Sequence, residues 1–380
     1  MITSIRSTKN LDAIRRVVDV AKKIDVLEPD SAPLTLLTKK MDKRVAINPE
    51  FNWMEEASLV KVGQINHAAY NAGETDLVVD DETPFRAGDV VKVVATGEQM
   101  LVTVVTTATH TLTVTRAWGV TLTANIPDDS VLLIVGNANA EHANKRDMKI
   151  GDIAKKTNYT QIFRTPFGIS RTADKSDTNG KNDLAHQRMM QLIEHQKEIE
   201  RAFWFGEPKE DLTGATPRRA TGGIDYFIST NATDAGGGLT EAEFDGFLRT
   251  GFRYGSKTKW LFASPIVVSA ISFWSKGKLT TSNDDKSYGV SIVKYVTPFG
   301  TVNIVNMNLF TEVTLYSGYA YLIDIDCLAY RYIADSDTKL KTNIQANDAD
   351  GQEDEYLTEC GLEFSQEKKC GLLYNVTSFS

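Results

Sequence analysis

The residue types that could do chemistry together lie closest in QLIEHQKEIERAFWFGEP (residues 191–208), which holds Glu194, His195 and Glu198. An imidazole among carboxylates is the raw material of a proton relay or a metal site. On a helix, neighbours one residue apart point in different directions, so His195 shares a face with Glu198 but not with Glu194. A metal-binding helix needs two ligands at helical spacing, as H-E-x-x-H supplies, plus a third from elsewhere. The other histidine in this region, His186, is out of step with His195. The spacing favours a solvated or packed histidine on a charge-laced helix over a ligand.

Other motifs fail on spacing. GFRYGSKT (251–258) has the residue types of a phosphate loop, but Ser256 separates Gly255 from Lys257. A helix precedes it and a strand follows, the reverse of what a phosphate cradle requires. DADGQEDEYLTE (348–359) ends in the Glu of a calcium loop, but its glycine is fourth instead of sixth and no amphipathic helices flank it. It reads as an acidic exposed turn. There is no G-x-S-x-G elbow, and Cys327, Cys360 and Cys370 form neither a CxxC pair nor a disulfide framework. Trp53, Trp118, Trp204, Trp260 and Trp274 are spread one per segment and read as core anchors. Neither a catalytic constellation, a cofactor nor a metal is expected.

The helix that carries His195 is predicted over 183–205, capped by Asn182 or Asp183 and stopped at Gly206 with Pro208 just beyond. Ala185, Met189, Leu192, Gln196, Ile199 and Phe203 recur at spacings of three and four, an apolar stripe with charge on the other face. At 1.5 Å per residue the helix is about 34 Å long. Phe203, Trp204 and Phe205 are expected to wedge its end into a core. Downstream, Thr240 and Glu243 form a capping box with Leu239 and Phe244 as a hydrophobic staple. KWLFA reads as a buried strand, and Ser264 and Pro265 as the start of the helix IVVSAISFW. With the strand-like segments that follow, 240–334 reads as a mixed sheet with helices packed on it.

Residues 74–136 differ in texture. DLVVD, DVVKVVA, QMLVTVV, HTLTVTR and VLLIVG, divided by turn signals, predict about five strands and almost no helix, as in a small closed barrel or sandwich. The polar, extended flanks suggest a compact β domain at the tip of a two-stranded excursion.

At 380 residues the chain is expected to form more than one folded unit. Its net charge of −8 argues against nucleic-acid gripping as the main task. Charge is uneven: ten Lys/Arg against six Asp/Glu in 1–44, three against nine in 74–136, eight against four in 146–181. The N-terminus lacks an apolar signal core, and the most apolar window, WLFASPIVVSAISFW, is too short to span a bilayer. A soluble protein made in a cytoplasm and free of membranes is expected, so the sequons at Asn158, Asn231 and Asn375 read as chance.

TNYTQIFRTPFGISRTA (157–173), the helix LAHQRMMQLIEHQKEIERAFWFGEP, RRATGGIDYFIST (218–230) and VKYVTPFGTVNIV (293–305), in that order, resemble the major capsid (major head) proteins of tailed bacteriophages. The resemblance implies an α+β fold shared by tailed-phage and herpesvirus capsids. It places an N-terminal arm at 1–45, an extended E-loop at 46–73 and 137–165, and the inserted small all-β barrel-like domain at 74–136. A P-domain takes 166–239 and 335–380 with spine helix 183–205, and an A-domain takes 240–334. Packing of the spine helix is assigned to Met189, Leu192, Ile199, Phe203 and Trp204.

The implied function is structural: self-assembly into the icosahedral shell that encloses double-stranded phage DNA. The implied partners are copies of the chain in hexamers and pentamers, a portal protein, scaffolding or decoration proteins, and packaged DNA contacted non-specifically. The arm positions Ile14, Val17, Val18, Ala21 and Ile24 are candidates for burial against neighbours, and the basic stretches for facing DNA or an acidic neighbour. A tail or baseplate component is the alternative, and a hydrolase with an inserted β module a third. On this reading Trp204→Ala destabilises the subunit and abolishes assembly, whereas His195→Gln does little.

Overall fold

The computed structural model describes residues 33–34, 43–57, 59–66, 69–142, 145–146, 148, 151, 153–176, 183–274, 286–287, 290–291 and 293–380. Ile14, Val17, Val18, Ala21 and Ile24 lie outside the described residues. The chain forms two compact units, one from 1–53 with 156–380 and one from 54–155.

The larger unit is built on two sheets. The first runs Lys43–Ala46, Leu328–Ile333, Gly351–Phe364, Gln161–Ser170, with Lys339–Lys341 also paired to Gly351–Phe364. The second is six-stranded, in the order Ala232–Leu239, Gly371–Phe379, Ala320–Ile323, Thr258–Ala263, Thr301–Asn306, Val293–Val296. Its central strands are apolar on both faces, as strands covered on both sides must be. Leu261, Ala263, Val302, Ile304 and Leu322 pack on the helices Glu241–Gly251 and Pro265–Trp274. Phe262, Val305, Tyr321 and Ile323 point the other way, into the core shared with the long helix and the first sheet.

Sheet membership departs from the expected segment limits at three strands. Leu328–Ile333 pairs with the first sheet, while Ala232–Leu239 and Gly371–Phe379 join the second. Strand neighbours are chosen by which edge a returning chain reaches, and the 240–334 range marked contiguity alone. The acidic segment expected as an exposed turn is instead the start of the strand Gly351–Phe364. Asp354 and Glu355 are buried there because Arg188 and Arg164 reach them across the fold.

Local signals fared well where partners are close. The Thr240–Glu243 capping box is present in full. Pro265 begins its helix, but the Ser264 hydroxyl is buried and finds no partner among the described residues, so it does not cap. Gly255 sits at φ +85°, where a side chain would meet Asp324, whose carboxylate accepts from Ser256 N at 2.7 Å. The segment is a helix-to-strand turn, and Lys259 beyond it is buried, donating to the carbonyls of Gly251, Tyr254 and Lys369. Asn158 is also buried, its amide bonded to Gly222 O and Leu362 O, which leaves no room for a glycan.

The smaller unit is a six-stranded antiparallel sheet in the order Val62–Gln64, Val131–Asn137, Asp89–Val93, Gln99–Thr106, Thr111–Thr115, Asp76–Val78. Its two ends meet: Ile65 bridges Val79, and Asn66 N and Asp80 N donate to Val78 O and Gln64 O, each at 3.0 Å. Alternate residues, among them Leu77, Val79, Val91, Val93, Met100, Val102, Leu112 and Val114, fill the interior. The unit starts earlier than residue 74, because Ile65 and Tyr70, from the flank read as extended, complete that core. Trp118 is no core anchor, being 45% exposed.

Two glycines set how tightly the larger unit closes. A methyl group at Gly206 would stand 2.5 Å from Ala202 O and closer still to Thr221 O, and one at Gly223 would stand 2.8 Å from Ala202 O and Phe203 O. Gly206→Ala is therefore expected to destabilise the subunit by about 1–3 kcal/mol. Gly246→Ala, in a helix with nothing within 4 Å of the added methyl, is expected to stabilise it by up to about 1 kcal/mol. Thermal denaturation of the two variants checks both signs.

Candidate functional site

The helix Asp183–Phe205 is 23 residues long and ends in a cluster of aromatic rings. Phe203 and Trp204 are fully buried. The Trp204 ring lies 4.9–5.2 Å, centroid to centroid, from Tyr321, Phe310 and Phe262; the two phenylalanines meet it edge-to-face and Tyr321 is tilted against it, which adds ring–ring attraction to burial. Its Nε1 donates to Glu200 Oε1 at 2.9 Å, and that buried oxygen also accepts from Leu34 N at 3.0 Å. The indole thereby joins the helix, the second sheet and the incoming N-terminal chain. Nearby, Tyr321 donates its hydroxyl to Asp225, and burial pushes the Asp225 carboxyl above its ordinary range despite that bond.

Ile199, Phe203 and Trp204 of the candidate packing residues are buried; Leu192 is half-buried. Met189 is a correction: it is 47% exposed, and Ala185 is exposed too. The apolar stripe does not continue inward along the first half of the helix, where attachment is ionic instead. Arg188 donates twice to Asp354 Oδ2, at 2.6 and 2.9 Å.

His195 is fully buried. Nδ1 lies 2.8 Å from Thr165 Oγ1 and Nε2 2.7 Å from Thr358 Oγ1, with Phe163 and Tyr356 against the ring. Thr165 Oγ1 also donates to Glu198 Oε2 at 3.3 Å. The imidazole is a cross-brace between the helix and the strands Gln161–Ser170 and Gly351–Phe364. No group of three His, Cys, Asp or Glu residues able to hold a metal ion occurs among the described residues. Sequence reasoning missed Glu200 and the bracing role of His195, since both are polar residues whose partners lie far away in the chain.

Hydrogen-bonded carboxylates hold the same strands. Burial pushes Asp354 up, but bonds from Arg188, Gln352 and Asn343 N outweigh it and keep the carboxyl below its usual range. Glu355 is likewise held low, chiefly by the hydrogen bond from Arg164, against burial.

The SU10 major capsid protein family model matches residues 2–377. The major capsid protein of Pseudomonas phage PaMx41 is 22% identical over 326 residues, 82% of this chain and 77% of its own. In three dimensions the chain is similar to the capsid of Myoviridae phage XM1 (12% identity, 99% and 100% of the two chains, TM-score 0.50) and to Mycobacterium phage Bobi (9%, 97% and 98%, 0.51). It is also similar to the capsid of a native GTA particle (8%, 98% and 100%, 0.51). These solved structures share the fold.

Trp204→Ala is expected to cost about 3–5 kcal/mol, read as a large fall in Tm and loss of assembly. His195→Gln is no longer expected to be silent. Disturbing its bonds to two buried hydroxyls should cost about 1–3 kcal/mol, while shells still form at low temperature. As for pH, Asp354 and Glu355 have depressed folded-state values. Their stabilisation is present at neutral pH and is lost as pH falls through and below the unfolded carboxylate value of about 4. Unfolding midpoints measured from pH 7 to pH 3 should fall in that acid range, and less steeply in Asp354→Asn.

A model that covers nearly the whole chain and a fold match along its full length agree: the chain belongs to the SU10 major capsid protein family and is a structural, non-enzymatic protein of a phage head shell.

Proposed function

We propose that copies of this chain associate as hexamers and pentamers into an icosahedral head around double-stranded DNA. In this reading the long helix is the spine of a P-domain shared between 166–239 and 335–380, and 240–334 supplies most of an A-domain. The ribbon Glu50–Glu56 with Ile153–Tyr159 is the stem of the E-loop, and the closed β unit is an inserted barrel-like module on the shell exterior. Residues 1–45 act as an arm that buries Ile14, Val17, Val18, Ala21 and Ile24 against neighbours. Assembly takes place in the host cytoplasm, with a portal protein and scaffolding or decoration proteins as further partners.

One observation carries this reading. Large apolar side chains stand exposed on the extended excursion and on the long helix: Met54 and Ile153 on the two strands of the stem, Ile47 just before it, and Met189 on the helix. Apolar surface of this kind on extended elements is satisfied by a second chain, and many modest contacts let misplaced subunits leave before the shell closes.

The chain expressed alone or with its scaffolding partner is expected to give closed shells with five- and six-fold vertices under the electron microscope. Removal of residues 1–32 should reduce their yield severalfold. A monomer that stays monomeric at high concentration under both conditions would sink the proposal.

A further inference from the structure

Two of the cysteines meet where the chain passes between the two sheets of the larger unit, a meeting that their spacing in the sequence does not announce. The first crossing is the turn Ile325–Cys327, which leaves Ala320–Ile323 of the six-stranded sheet and feeds Leu328–Ile333 of the other. The second is the turn Glu367–Lys369, which leaves Gly351–Phe364 and returns the chain to Gly371–Phe379. Register sets the two crossings side by side and in opposite directions: Leu322 pairs with Gly371 in one sheet, and Leu328 with Phe364 in the other. Ser365 N donates to Cys327 O at 2.9 Å between them. Cys327 ends the first turn and Cys370 follows the second, and their thiols are hydrogen-bonded to each other.

Burial alone would leave both thiols inert, but their neighbours set them apart. The hydrogen bond from Cys370 holds the Cys327 thiol below its ordinary range against burial, and the ammonium groups of Lys369 and Lys259 act in the same direction. Burial pushes the Cys370 thiol well up. One sulfur therefore carries the thiolate character and the other supplies the proton, the division between an attacking and a resolving thiol. Access follows the same order, since Cys327 is 3% exposed and Cys370 not at all. The main chain beside Cys370 is pinned: Lys259 Nζ donates to Lys369 O, and Asn231 Nδ2 to Cys370 O at 2.9 Å. Cys360 is paired elsewhere, with the Tyr330 hydroxyl.

We propose that Cys327 and Cys370 form a redox latch, a dithiol that a small peroxide closes to an intrachain disulfide across the two crossings. In the first step the Cys327 sulfur attacks one peroxide oxygen. An S–O bond forms, the O–O bond breaks, and the thiol proton leaves with the second oxygen as water. In the second step the Cys370 sulfur attacks the Cys327 sulfenic acid. The S–S bond forms, the S–O bond breaks, and the Cys370 proton leaves with the hydroxyl as a second water. Two thiols lose two electrons, and the peroxide takes them up. Both sulfurs lie on turns, so the adjustment that brings them into bonding range leaves the strand registers intact. The link closes the loop from 327 to 370 and so restricts the unfolded chain more than the folded one. The latch concerns the fold of one chain and stands whether or not copies form shells.

The test treats the folded full chain with a few equivalents of hydrogen peroxide, then unfolds it in acid, alkylates the remaining thiols and maps the peptides by mass. One alkylated cysteine, Cys360, is expected, with one linked peptide pair that joins Cys327 to Cys370 and is released by dithiothreitol. The oxidised chain should melt about 5 °C above the reduced chain. Cys360→Ser should keep the link, and Cys327→Ser should lose it without passing it to Cys360. The unaltered chain carries the assay, so a variant that fails to fold leaves its result standing. Alkylation of all three cysteines after peroxide, a link that includes Cys360, Cys327 driven to sulfinic acid with no link, or a link that leaves Tm unchanged would each overturn the latch.

Discussion

Burial of the Trp204 indole is the constraint on which the larger unit depends. Its faces are taken by Phe262 and Tyr321 from the second sheet and by Phe310, while its nitrogen is tied to Glu200. Burying one large aromatic side chain contributes about 1.5–3 kcal/mol from area alone, and a subunit is stable by only about 5–15 kcal/mol. The ring also sets geometry: Phe203 beside it meets Tyr330 of the first sheet, so two adjacent residues address two sheets. Gly206 and Gly223 then let the chain turn against the helix end at a distance no side chain would allow.

Away from that aromatic knot, buried polar groups with protein partners hold the pieces in register. His195 between two threonine hydroxyls, Asn158 bridging three segments, and Lys259 under three carbonyls each replace the water they lose with protein partners. Such networks are costly when incomplete, so they discriminate strongly between the native packing and near misses. A shell subunit has reason to use them, because an error of shape repeated in every copy prevents closure.

What could be read in the sequence follows the distance over which each signal acts. The alternation in 76–79, 90–93 and 111–114 is local and marks the strands of the smaller unit; the capping box at Thr240 needs three residues, and the limits of the long helix need its own period. Membership of a sheet is not local, and Leu328–Ile333 and Gly371–Phe379 went to sheets that the order along the chain does not suggest. The buried polar residues were the least legible. Glu200 bonds Leu34 across 166 positions, His195 meets Thr358 across 163, and Arg164 finds Glu355 across 191. Read alone, each is a charged or polar residue that belongs in water. Met189 fails in the opposite sense: its spacing fits the stripe, but the first half of the helix is held by Arg188 and Asp354 rather than by an apolar floor.

A subunit that must stay dispersed until it meets its own kind faces two opposed demands on apolar surface. Concentrated in one large patch, such surface would drive indiscriminate association; absent, it would leave nothing to hold a shell. Here it is divided. Ile47, Met54, Ile153, Met189 and the loop that carries Val120 and Leu122 stand exposed at several places along the chain, while the interior beneath the long helix is locked by aromatic packing and satisfied polar bonds. Rigid scaffolds lose little entropy on docking, so each small contact can count even though none is large. Affinity then rises steeply only when several contacts are made at once, which ties adhesion to correct placement among several neighbours rather than to any one of them.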